Sequence, residues 1–426
     1  MLRRDDDIGY RLWSRSGNLV HGCNSNVPLK RCTNMTTLSS PIDSLPAGLT
    51  YARARLYLGI TAVGSAVLLA AALWYFRIPS RGLSMSHAQS VPAALFRVGL
   101  MFAFAHVAFL LYDLIGGAWL VRRRAWASMW LTRWLRGVAV QWVIWMLVAT
   151  ALMLAARAAG NPAAIGVFLV VQFLLAFGRG RMARVIAPMP IVPAPERLAR
   201  AATQAGFDAS PLQVVDCADE SFVGGWSGLT ARTLVVPLRW AQLPEPALAA
   251  MLLRRRLAGT SGAHTRGVIG AIAWNTLGFV LALALTGVSP ASAGGVITLA
   301  AAMTLWAFLG VLLLPTPSRA AVFALDAAAT ASMGVDPVRA GIEWLDKWQD
   351  DEPVRHAGVE TVFHPVPGRR ARIARLVGNV HAVKPWHAHH LARHALWLSW
   401  GACTPLSRAV HCNVGRSALW AMLPGD

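Results

Sequence analysis

The sequence predicts a mainly α-helical, polytopic membrane protein with about six transmembrane helices and a small α+β soluble domain, and three observations predict it. Of its 426 residues, 55% are hydrophobic and only 14% charged, too apolar for a surface solvated by water alone. Six windows reach the roughly 20 apolar residues that a helix needs to cross a bilayer while pairing its backbone internally. Lysine and arginine concentrate in alternate connections between those windows.

The first window runs from Leu56 to Phe76, fenced by Arg55 and Arg77. The second spans Val98 to Val121 with Asp113 as its only charge. The third (Gly137 to Ala156) and fourth (Ala158 to Gly178) are separated by Arg157 and the Asn161-Pro162 turn signal, which predicts a tight helical hairpin. Gly267 to Val288 and Gly294 to Leu314, divided near Ser289-Pro290, read as a second hairpin. Four spans thus occupy 51–178 and the last two 267–314. The 1–50 segment has loop composition and no secretory apolar core, so it is expected to be disordered, with Met35 a candidate start.

The N-terminal segment, the Arg122 to Arg136 loop, Arg179 to Arg266 and the C-terminal tail are Arg-rich, whereas the alternate loops hold only Arg77, Arg81, Arg97 and Arg157. Both termini are therefore expected on the cytoplasmic side of a membrane, the bacterial inner (plasma) membrane being the expected location. That asymmetry accounts for the formal net charge of +20, since each basic residue near anionic lipid gains about 1 kcal/mol. Membrane lipids are expected partners, and nucleic acid is not, because no binding motif accompanies the charge. Trp126, Trp130 and Trp134 repeat every four residues among arginines, a pattern of headgroup anchoring. Five cysteines (Cys23, Cys32, Cys217, Cys403, Cys412) contain no CxxC pair and suggest reduced thiols.

The soluble residues fall into an insert, 179–266, a later part, 315–380, and a His- and Trp-rich tail, 381–426. The insert opens with a helix, Glu196 to Ala205, closed by Gly206 at its C-cap position. Leu212 to Val215 and Thr233 to Val236 read as strands of a β-hairpin around the glycine-rich Phe222 to Leu229. Pro244 to Leu257 reads as a helix, with proline and an acid where missing donors and the helix dipole favour them.

Four segments in this order carry a resemblance: FDASPLQVVD (Phe207 to Asp216), LVVPLRWAQLPEPALAAMLL (Leu234 to Leu253), SRAAVFALDAAATASMG (Ser318 to Gly334, after two spans) and VFHPVPGRRARI (Val362 to Ile373). Together they resemble the integral-membrane zinc metallopeptidases that include the CAAX prenyl protease and the bacterial heat-shock membrane protease, over roughly Glu196 to Ile373. The resemblance implies a gluzincin-like cytoplasmic domain. In that family a helix carries His-Glu-x-x-His, two imidazoles on one face binding zinc and the glutamate taking the water proton, while a third ligand lies four residues before an aspartate.

Placed on this sequence, the first ligand is Arg254, the base Arg255, the second ligand Ala258 and the third Val322, while Asp326 keeps the aspartate. A guanidinium has no free lone pair and does not deprotonate, so these residues imply no zinc, no catalytic residue and no cofactor. The resemblance thus implies a pseudopeptidase acting in binding or regulation, with membrane proteins or unfolded peptides as partners. The family's substrate-receiving edge strand falls on Val223, Gly224, Gly225 and Trp226, where strand addition could outlive the metal, although a plain turn explains the glycines as well.

Two alternatives stay open. An active zinc metalloendopeptidase would need ligands from elsewhere, such as His381, His387, His389, His390 and His394, of which His390 and His394 have helical i, i+4 spacing. A solvated or lipid-facing histidine-rich helix explains those residues equally. A small transporter or channel would use His106 and Asp113, seven apart in the second window, for which Gln141, Gln172 and Asn275 are candidate partners in a polar clasp.

Overall fold

The computed structural model describes residues 50–83, 90–120, 129–207, 212–230, 232–349, 355–364, 366–377, 390–401, 406–410 and 413–421. Met35, Trp126, His381, His387, His389, Cys23, Cys32, Cys403 and Cys412 lie outside them. The chain enters on α1 (Tyr51–Tyr75), capped by the Thr50 hydroxyl, and continues through the short α2 (Ile78–Gly82) to α3 (Val91–Ala108). The second window begins earlier than its apolar pattern indicates, at Val91, and is not one helix. It breaks at Phe109, restarts as α4 (Leu110–Leu114) and widens into a π-helical turn, Ile115–Trp119. Gly116 and Gly117 sit in that turn because a Cβ on either would meet the carbonyl of Val414 or Gly415.

α5 (Trp130–Ile186) has 57 residues, about twice the length of one span. Gly160 lies at φ 72° and ψ −168° in its middle, a conformation essentially confined to glycine. Arg136 Nε donates to Val185 O at 2.7 Å although 49 residues separate them. An unbroken helix would hold these two residues about 70 Å apart. The two arms of α5 therefore fold back on one another. With two later helices, Ala263–Thr286 and Ala293–Leu313, five helices are long and apolar enough to cross a membrane, and the doubled α5 gives them six apolar arms. Leu68, Phe96, Leu147, Leu174 and Leu285 each leave 63–72% of their surface outward, an arrangement that lipid tolerates and water penalises.

Beyond α5 lie β1 (Ile191–Val192), α6 (Glu196–Gln204), β2 (Leu212–Val215), β3 (Gly225–Ser227), β4 (Thr233–Pro237) and α7 (Glu245–Thr260), then the two apolar helices just given, α8 (Ala263–Thr286) and α9 (Ala293–Leu313). The sheet order is β1-β2-β4-β3. Here the structure corrects the expected hairpin: β2 and β4 run parallel, with Leu212 opposite Leu234, and it is β3 that pairs antiparallel with β4. Val214-Val215 and Leu234 to Val236 are consecutive buried apolar residues, the pattern of central strands covered on both faces, and the 216–232 connection is long enough to cross over.

α10 (Pro315–Met333), α11 (Val335–Gln349), α12 (Ala357–Phe363) and α13 (Arg369–Leu376) complete this domain. Leu198, Val236, Trp240, Leu248, Val338 and Ile342 share its core. The last described α-helices are α14 (His390–Gly401) and α15 (Leu406–Ala409), followed by a 3-10 turn, Ser417–Leu419. α14 is not the solvated or lipid-facing helix that its histidines suggest. It lies against α8, α5 and α9, with His394, Trp397, Leu398 and Ser399 at most 1% exposed. The apolar residues on either side of His394, Leu391, Ala395 and Leu398, join the core of the arms, which outweighs the polarity of the others.

Candidate functional site

α7 begins where Pro244 and Glu245 satisfy its first turn, and it brings Arg254 and Ala258 to one face by their four-residue spacing. α10 does the same for Val322 and Asp326, and the two helices are in contact. Arg254 Nε donates to Asp326 Oδ1 at 2.5 Å, and Arg254 Nη2 lies 3.5 Å from Val322 O. Arg372 of α13 grips the same carboxylate with both ends of its fork, Nε to Oδ2 and Nη2 to Oδ1, each at 2.8 Å. Arg254, Asp326 and Arg372 are at most 5% exposed. Arg254 and Val322, the positions that the resemblance gives to the first and third ligands, are thus linked by the Arg254 guanidinium reaching the Val322 carbonyl.

Arg255 points elsewhere. Its Nη2 lies 3.4 Å from Val223 O, its guanidinium sits 5.6 Å from the Trp240 ring centroid, and its own carbonyl accepts from Trp226 Nε1 at 2.7 Å. Val223, Gly224, Gly225 and Trp226 are all buried, with β3 against α5 and α7. The residues at 254, 255, 258 and 322 offer zinc no lone pair and present it with two cations, so they do not fit that ion. His264 does not replace them, as its Nε2 lies 2.8 Å from Gly228 O. Among the described residues no group of three His, Cys, Asp or Glu could hold a metal ion.

A second polar cluster lies inside the arms. Arg408 of α15 reaches the Asp113 carboxylate with Nη2 and the His106 ring Nδ1 with Nη1, and Nη1 also donates to Gln141 Oε1 at 3.1 Å. Asp113 further accepts from Trp134 Nε1 and from the Gly415 amide, both at 2.9 Å. His106 stacks on Trp145 at 4.8 Å, and the Trp420 ring lies 4.7 Å from the Arg408 guanidinium. His106, Asp113 and Gln141 therefore do share one site. Gln172 and Asn275 do not belong to it, since they donate to the carbonyls of Leu398 (3.5 Å) and Ala395 (3.1 Å) on α14.

Trp130 and Trp134 face inward rather than toward headgroups. They are 8% and 7% exposed and stack at 5.7 Å. Their indole N–H groups end on Gly415 O and Asp113, because a buried indole needs an acceptor. His394 is held by Arg179 Nη1 at 2.9 Å, a cationic neighbour that disfavours a metal there.

A third cluster joins the sheet-bearing α+β part to 413–421. Arg416 forks onto Asp219, which also accepts from the Ser221 amide at 2.9 Å, while Arg239 donates to the carbonyls of Cys217 (2.8 Å) and Asp219 (2.5 Å). Burial holds Arg239 below the ordinary guanidinium value, against the raising influence of Cys217, Asp219 and Glu220. Burial, reinforced by the Asp219 carboxylate, pushes the Cys217 thiol up from 9.0 to about 12. The folded chain then keeps a proton that the unfolded chain releases, so Cys217 costs stability as pH rises through that window. It is expected to resist iodoacetamide at about pH 8 in folded protein and to react on unfolding, as read by peptide mass mapping.

Arg408, Arg416 and Arg372 are the functional-site residues that sequence reasoning does not assign. Asp113 in an apolar window signals that some cation must meet it, but 40 lysines and arginines qualify equally. Compared with known proteins, the chain matches no family model and no curated protein.

Proposed function

We propose that this protein is a membrane-embedded pseudopeptidase: a catalytically degenerate relative of the zinc metallopeptidases, whose α+β domain acts in binding or regulation at the cytoplasmic membrane face. The Arg254–Asp326–Arg372 clasp carries the reading. It joins α7, α10 and α13, the three helices on which the resemblance places the first ligand, the retained aspartate and the Arg-Ile segment. A dication bound by neutral imidazoles and a carboxylate is replaced by two guanidiniums on one carboxylate, which keeps a cation at the helix crossing and removes both the Lewis acid and the base. Unfolded peptides and membrane proteins are the partners this reading favours, and a peptide strand adding at β3 would have to displace Arg255 from Val223 O.

Restoring the donor set tests the reading. The fourfold variant Arg254→His, Arg255→Glu, Ala258→His, Val322→Glu is expected to purify with about one zinc per chain by elemental analysis, against none for the parent. A correctly folded fourfold variant that takes up no zinc would show that these positions do not frame a metal site. Stoichiometric zinc in the parent, lost to a chelator together with peptidase activity, would show that the protein is a working enzyme.

A further inference from the structure

Eight of the polar side chains buried in the apolar arms have one feature in common. Arg55, His106, Asp113, Gln141, Gln172, Arg179, His264 and Asn275 come from α1, α3, α4, both arms of α5 and α8, and each of them touches residues 394–421. Four of these eight contacts serve the backbone of that segment. Asn275 and Gln172 donate to Ala395 O and Leu398 O; Arg55 Nη2 reaches Val414 O (3.1 Å), Trp130 Nε1 reaches Gly415 O (2.9 Å) and Arg179 Nε reaches Ala421 O (2.6 Å). Donors aimed at the main-chain carbonyls of Ala395, Leu398, Val414, Gly415 and Ala421 recognise a peptide without regard to its side chains. Arg55 also donates to Gly116 O and Leu120 O within the arms, whereas Gln172, Arg179 and Asn275 sit inside regular helix whose own amides are paired, so those three donors are not needed to build it.

One side chain is read specifically. Asp113, Gln141 and His106 converge on the Arg408 guanidinium, which only a fork of donors fills. The walls are shaped for close approach, since a Cβ on Gly137 would lie 2.7 Å from the Trp420 ring. Ionisable and amide groups at membrane depth are costly and mark sites where something is bound.

We propose that the arms enclose a peptide-binding cleft that recognises an arginine side chain through Asp113, Gln141 and His106, and that the described segments 390–401, 406–410 and 413–421 occupy it as a ligand supplied by the same chain. The inference does not depend on the metallopeptidase frame. Its ligand class is a peptide carrying an arginine with a short helix before it, and the segment in place keeps other such peptides out.

The test uses the full chain with a specific protease site placed within 378–389. After cleavage in detergent, a fluorescent peptide of residues 390–426 is expected to exchange into the protein saturably, as read by anisotropy. The same peptide carrying Arg408→Ala is expected to bind at least about tenfold more weakly, and Arg408→Lys to fall between. These changes sit on the peptide, so the folding of the cleft is untouched. No exchange while the cleaved protein stays monodisperse would make the three segments a permanent part of the fold and overturn the proposal. Equal affinity of the Arg408→Ala peptide would overturn the arginine recognition on which it rests.

Discussion

Asp113→Ala is expected to be the most damaging single substitution in the membrane arms, costing about 3–5 kcal/mol. The carboxylate is 2% exposed and satisfies Arg408, the Trp134 indole and the Gly415 amide at once. Its removal strands a guanidinium among Trp145, Trp420 and apolar helices, where no water replaces the lost partner. The thermal midpoint in detergent should fall sharply, and Asp113→Asn should fall less because the amide oxygen still accepts from Trp134. The double variant Asp113→Leu/Arg408→Met should recover most of the loss, since removing both charges also removes their desolvation cost. A single variant with an unchanged midpoint would mean that this ion pair does not hold the segment in place.

Asp326→Ala should have an effect of similar size, about 3–5 kcal/mol, located where α7, α10 and α13 meet. It leaves Arg254 and Arg372 buried with their shared counter-ion gone, so repulsion between them adds to the desolvation cost. Chemical unfolding followed by the tryptophans of the α+β part, Trp240 among them, is the appropriate measurement. Replacing the whole triad (Arg254→Met, Asp326→Leu, Arg372→Met) should come near the parent or exceed it, because well-packed apolar groups avoid the desolvation penalty. If the triple variant is as unstable as Asp326→Ala, the clasp contributes through geometry that apolar packing does not reproduce.

The legible parts of this molecule are those in which neighbouring residues decide the outcome. The arm at Gly137 to Ala156 is uncharged and, Gln141 and Thr150 apart, almost wholly apolar, so its backbone amides are satisfied within the helix. Glu196 to Gln204 carries its own dipole match and its Gly206 exit, and α7 begins at Pro244 and Glu245 because no other position tolerates the missing donors so well.

What the sequence did not disclose depends on distant partners. Leu212 to Val215 and Thr233 to Val236 are short apolar runs that fit a hairpin and a parallel pair equally, and the choice fell to which faces the helices cover. Trp130 and Trp134 carry the composition of membrane anchors, but an acceptor at Asp113 and another at Gly415 turn them inward.

By itself, then, the sequence determined that its apolar segments are long enough to cross a bilayer and that Asp113 and His106 could not be buried among them without a partner, because the cost of burial is set residue by residue. Only the tertiary structure decided that the partner is Arg408, some 295 residues away, and that 390–401, 406–410 and 413–421 return among the arms. Charge requires a counter-ion but does not name one. The choice is made when the closing bundle excludes water and leaves the Arg408 guanidinium within reach.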